Sequence, residues 1–143
     1  MTKPIDWALK AARNGVPEMM YEVGMAYSPA PEGITQDLPM NGPRAAYWLQ
    51  RAAASGSKLA PMAAEDLAAL YATGAGTLAA DAGKAYLWLN WATRGDLDRQ
   101  RLAENMQAVA ALFTDAQREA ADAEFARWIE QGHAPAPEGP EPE

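Results

Sequence analysis

Three glycines, Gly15, Gly56 and Gly95, stand 41 and 39 residues apart, and the residues before them fall into register. Alanine recurs three positions ahead of each, at Ala12, Ala53 and Ala92. Another alanine stands ten ahead of the last two glycines, at Ala46 and Ala85, and tyrosine follows it both times, at Tyr47 and Tyr86. In this register Leu49 stands opposite Trp88. A period near forty residues in a helical pattern marks a repeat array, in which each unit buries its apolar face only against its neighbours. Arrays of this kind serve as binding platforms. The repeat therefore speaks to a class of function and leaves the ligand open.

Apolar spacing predicts helices over residues 4–14, 17–27, 43–55, 59–73 and 82–94. Thr2 can cap the first, and Pro4 fits its first turn, where a missing N–H costs nothing. The inward stripes are Met19, Val23, Ala26 and Tyr27 on the second helix, and Ala63, Leu67, Leu70 and Tyr71 on the fourth. Residues 28–42, with Pro29, Pro31, Gly33 and Pro39, read as a loop, and Gly74, Gly76 and Gly83 bracket another. Each glycine of the repeat is expected to follow a helix end in left-handed backbone. After Gly95 the repeat decays. A longer helix over residues 97–113 turns Leu102, Met106, Val109 and Phe113 inward. Thr114 caps a last helix, with Arg118 where a capping-box acid would stand and Phe125, Trp128 and Ile129 as its apolar face. A non-repeating end of this sort covers the last unit of an array. The predicted domain spans residues 1–131. Residues 132–143, rich in Pro, Gly, Ala and Glu, read as a disordered tail with no means of burying itself.

Composition narrows the function classes. Twelve basic against nineteen acidic residues leave a formal charge of −7, and no cationic cluster exists that could displace counterions from nucleic acid or favour an anionic membrane. There is no cysteine, so disulfide frameworks and thiolate zinc sites are out. No apolar run is long enough to span a bilayer, and Asp6, Lys10 and Arg13 interrupt the N-terminal stretch against a signal peptide. The expected location is the cytoplasm, with an exported mature form also compatible.

The motifs resemble the Sel1-like repeat family, relatives of the tetratricopeptide repeats. Lys84-Ala85, Trp88, Ala92 and Gly95 match the family's second helix, and Tyr71, Gly74, Gly76 and Asp81 match the preceding helix end and loop. The earlier copy supplies Val23-Gly24, Tyr27, Gly33-Ile34, Asp37, Ala46, Leu49, Ala52-Ala53 and Gly56, with Leu49 where the family often has an aromatic. The resemblance covers about residues 7–95. It implies an all-α solenoid of antiparallel helix pairs wound into a right-handed superhelix. It also implies a concave face lined by the first helix of each pair: Glu18, Tyr21, Glu22 and Met25, then Met62, Glu65, Asp66 and Ala69.

Candidate chemistry is sparse. His133 is the single histidine and falls in the tail, so no histidine pair can form. Glu65 and Asp66 are helical neighbours that point in different directions, and Asp96 and Asp98 suit the start of the following helix. Gly74-Ala75-Gly76 lacks the lysine and hydroxyl of a phosphate loop. Trp88, Trp91 and Trp128, at helical spacing, read as core, Trp7 and Trp48 occupy equivalent positions at the edge of the stripe, and Tyr47 and Tyr86 are open to partner contact. The resulting expectation is a non-catalytic protein–protein interaction module without cofactor or metal. Its partner segment would be held on the concave face by Tyr21, Met25 and Met62, with Glu18, Glu22, Glu65 and Asp66 selecting basic residues. Three alternatives stand beside it. They are an inhibitor or immunity protein that occludes an enzyme, a metal-dependent enzyme using concave carboxylates, and a purely structural subunit.

Overall fold

The computed structural model describes residues 4–29 and 39–142. Among them there are seven helices and no strand: α1 Pro4–Arg13, α2 Pro17–Ala26, α3 Gly42–Ala53, α4 Ala60–Thr73, α5 Ala82–Ala92, α6 Arg99–Ala110 and α7 Asp115–Gln131. The fold is all-α. Thr2, Gly33, Ile34 and Asp37 lie outside the described residues.

From α1 to α5 each helix packs on the next in the chain, and α6 and α7 both dock on α5. Small residues make the close approaches. A methyl group added at Gly24 of α2 would come within 2.8 Å of the Leu49 side chain on α3. The core is alanine-rich, with Trp48, Leu49, Leu67, Leu102 and Val23 as its largest fully buried side chains.

The repeat is real in three dimensions, but its register differs from the glycine alignment. Asn41 and Asp81 are the N-caps of α3 and α5, and each side chain accepts a hydrogen bond from the backbone N–H three residues on, at 3.1 and 3.0 Å. Each cap's own N–H donates to the carbonyl of a tyrosine in the last turn of the preceding helix, Asn41 to Tyr27 at 2.9 Å and Asp81 to Tyr71 at 2.7 Å. Each of those tyrosine rings carries a cation from the helix that follows, Arg44 over Tyr27 and Lys84 over Tyr71. The buried stripes are Ala45, Trp48, Leu49 and Ala52 on α3 and Ala85, Trp88, Leu89 and Ala92 on α5. Both follow the spacing of one helix face, and they superpose at forty residues. Trp48, not Leu49, therefore answers Trp88.

The one-residue error has a physical source. Gly15 and Gly56 have φ of 88° and 73° and end their helices in left-handed backbone, as expected. Gly95 does not. It is small because the ring of Pro61, at the start of α4, lies where its Cβ would be, 2.2 Å away. The offset itself comes from helix length: α3 has twelve residues and α5 eleven, so glycines that each follow the last helical residue by three stand 39 apart while the stripes stand forty apart.

Past α5 the stops and starts are local. Asp98 caps α6, accepting from Arg101 N–H at 3.1 Å. Thr114 caps α7 in a complete capping box whose reciprocal partner is Gln117. The expectation that no box partner is present is corrected, because the third helical position is Gln117 and Arg118 lies one beyond it. Inward packing of α7 comes from Trp128, whose ring centroid lies 4.8 Å from that of Trp88. Ile129, expected on the same face, is 43% exposed.

Residues 133–142 form neither helix nor strand, yet they lie against the helices. The expectation of a tail unable to bury itself is corrected at Ala134, which is only 2% exposed. The chain leaves α7 through Gly132, in left-handed backbone, and Pro135 and Pro137 favour an extended path.

Candidate protein-binding surfaces

Two surfaces hold the residues that could meet a partner. The first is built from α2, α4 and α6. Glu18, Tyr21, Glu22 and Met25 occupy the side of α2 away from its buried Met20, Val23 and Gly24. Met62, Glu65, Asp66 and Ala69 occupy the matching side of α4. All are half-buried except Glu18 and Ala69, which are exposed. Side chains lace the three helices together. The Tyr21 hydroxyl donates to Asp66 at 2.5 Å, joining α2 to α4. Arg101 grips Glu65 with two parallel bonds of 2.9 Å, joining α4 to α6. The pairing with Glu65 raises the Arg101 pKa above its ordinary value. Glu65 and Asp66 thus meet partners within the chain rather than standing open to basic residues of another protein.

Between α4 and α6 the same surface opens into a groove of about 460 Å³. Its floor is apolar, made by Ala68, Ala72, Leu89 and Val109, and Glu65, Arg101, Thr73 and Asn105 stand along its rim. Small residues on both helices leave the space. An aliphatic side chain entering it would meet an apolar floor with polar groups at the edge, the arrangement of a protein-binding pocket.

The tyrosines divide. Tyr47 is half-buried, edge-on to Trp48 with ring centroids 5.1 Å apart, and the Arg51 guanidinium lies above it. Tyr86 is only 5% exposed, its ring packs on Phe113, and its hydroxyl donates to Asp122 at 2.9 Å. The expectation of partner contact at Tyr86 is corrected: in the forty-residue register it answers buried Ala46.

A second surface, which periodicity did not reveal, runs along α1, α3 and α5 and already holds a peptide. Residues 133–142 cross it antiparallel to α3. Gln50 donates to the Pro135 carbonyl at 3.0 Å and Arg44 to the Pro142 carbonyl at 2.7 Å. Between them Glu141 receives the Arg13 guanidinium at 3.3 Å and the Trp48 indole N–H at 3.3 Å, and Arg44 stands 3.8 Å away. These contacts join residues 85 to 128 positions apart in the chain, beyond the reach of any local pattern. The available signal was compositional: an acidic tail on a chain whose arginines do not all find an acid on their own helix.

Among the described residues no three His, Asp or Glu side chains come together in a way that could hold a metal ion. His133 is exposed in the tail, and Asp96 is exposed ahead of α6. No helix among these residues is long and apolar enough to cross a membrane. Compared with family models, curated proteins and solved structures, the chain gives no match.

Proposed function

We propose that the chain is a protein–protein interaction module of the Sel1-like type, an α-solenoid whose first helices, α2, α4 and α6, receive a segment of another protein. The observation that carries this reading is the groove between α4 and α6. Its apolar floor is open, while the acids and the arginine at its rim are paired with each other or with neighbouring helices. Such a surface is set in shape before a partner arrives, which reduces the ordering cost of binding. Specificity would come from an apolar side chain in the groove, aided by Met25 and Met62 as adaptable contacts. The forty-residue register supports the family reading, since it restores an aromatic, Trp48, to the column that the glycine alignment had filled with Leu49.

An affinity capture followed by mass spectrometry tests the proposal, run in parallel with the parent chain and with Ala69→Arg. Ala69 is exposed beside the groove, so the substitution blocks it without entering the core. The expected result is a protein retained by the parent and lost by the variant. A set of retained proteins that is identical for both chains would refute the assignment.

A further inference from the structure

We infer that the channel along α1, α3 and α5 is a binding site for an extended, acidic, proline-containing peptide. The chain's own residues 133–142 occupy it until a partner segment of the same chemistry displaces them. This surface shares none of its gripping residues with the α4–α6 groove.

The channel recognises peptide in two ways at once. Arg44 and Gln50 hold backbone carbonyls, which any sequence offers. Glu141 and Ala134 supply side-chain contacts, a carboxylate held by three donors' groups and a methyl sealed from solvent. Fixing the main chain for affinity and a few side chains for identity is how extended peptides are usually read. Charge adds direction. In a chain of net charge −7, Arg13 from α1 and Arg44 from α3 converge on one carboxylate, so this channel favours an acidic ligand.

Trp48 makes the site more than a surface ion pair. The residue is fully buried, and Glu141 is the acceptor of its indole N–H. A buried donor left without an acceptor is costly, so the channel calls for an oxygen at this point from whichever peptide lies in it. The same contacts are also releasable. Arg13 is largely exposed, and the tail leaves a cavity of about 460 Å³ between Pro135, Ala136 and Glu138 on one side and Lys84, Trp88 and Trp128 on the other. A peptide with a bulkier apolar side chain at that point would fill it better. The tethered tail competes through its high effective concentration, so it acts as a threshold that a partner must exceed.

The test uses the full-length chain, the full-length Glu141→Lys variant, and a fluorescent peptide with the sequence of residues 133–143. Lysine at 141 is repelled by Arg13 and Arg44 and releases the tail. Anisotropy titration is expected to show at least tenfold tighter peptide binding to the variant than to the parent. Binding to the variant should fall tenfold or more when the peptide itself carries Glu141→Lys, or when Arg44→Ala is added to the protein. Ala69→Arg should leave it unchanged, which separates this outcome from the fate of the α4–α6 groove. Equal binding to parent and variant overturns the inference, as does equal binding of the charge-reversed peptide. A parent dimer that dissociates on dilution and is lost in Glu141→Lys would place the tail on a second copy and overturn the intramolecular assignment.

Discussion

Helices α3 and α5 begin from nearly the same instructions and end in different surroundings. Each has an Asn or Asp cap, a cation over the preceding tyrosine, and an Ala–Trp–Leu–Ala stripe. The tryptophan of α5 is covered by Trp128, a ring from a seventeen-residue helix. The tryptophan of α3 is met by the Glu141 carboxylate from the tail, which Arg13 of α1 and Arg44 of α3 hold in place. A repeat therefore specifies where a large ring sits but not what closes over it. The cover on α5 is apolar. On α3 it is charged, and it is this cover that a partner peptide is proposed to exchange.

The sharpest way to break this comparison is Trp88→Ala. It should cost about 3–5 kcal/mol, the range for truncating a large core side chain, read from the denaturation midpoint. Ending the chain after Gly132 removes the cover of α3 and should cost about 1–2 kcal/mol, from a few partly exposed hydrogen bonds and one buried methyl. Equal losses would mean that the two covers are energetically alike.

The helix exits offer a second contrast. Gly95→Ala drives a methyl into Pro61 and should cost about 1–3 kcal/mol by overpacking. Gly56→Ala meets nothing within 4 Å and should cost about 1–2 kcal/mol through left-handed backbone alone. Adding Pro61→Ala should recover much of the first loss and none of the second. Failure of that rescue would show that Gly95 is constrained by something other than Pro61.

A smaller effect separates the tail's chemistry from its mere presence. Trp48→Phe keeps a ring and deletes the N–H, and Glu141→Gln keeps an acceptor and deletes the charge. Their double-mutant cycle should give a coupling of about 1 kcal/mol, below the roughly 1.5–3 kcal/mol of a hydrogen bond to a charged group because glutamine still offers an acceptor. A coupling near zero would make the Trp48–Glu141 contact incidental.

The smallest expected effect lies at high pH. Burial first, and then the nearby Asp81 carboxylate, raise the Tyr71 pKa above its ordinary value. Lys84 faces the ring from α5. A raised pKa means the folded state holds the phenolic proton more tightly than the unfolded chain does. Its contribution is therefore complete below about pH 10 and is lost as pH rises further. Tyr71→Phe should flatten the alkaline limb of the stability profile. An unchanged limb would assign that loss to other groups.

How much of this was legible beforehand depends on the range of the interaction. Helix positions were readable because caps, stripes and breakers act within a few residues. Asp98 and Thr114 announced the starts of α6 and α7, and Trp88 was expected in the core. The glycine register differs from the stripe register by one residue because α5 is one residue shorter than α3, a difference that no local signal in either helix announces. Tyr86 reads as an outward position because periodicity within α5 cannot show that α6 and α7 cover it. The tail was misjudged for a related reason. Its composition gives no local means of burial, and what holds it are Arg13, Arg44, Trp48 and Gln50, all far away in the chain. The pairing of Glu65 with Arg101 was equally invisible, since nothing in either helix names the other.

The tail's path also measures the molecule. It starts at the end of α7 and reaches α1 at Glu141, so its ten or so residues are matched to this number of helices. One more helix pair in the row would carry α1 about 8–10 Å farther off. An extended chain covers that distance with roughly three residues. A longer array with the same tail would leave Arg13 without its carboxylate, and a shorter one would leave slack. In the proposed solenoid, the length of the C-terminal segment would set how many stacked helix pairs it can span.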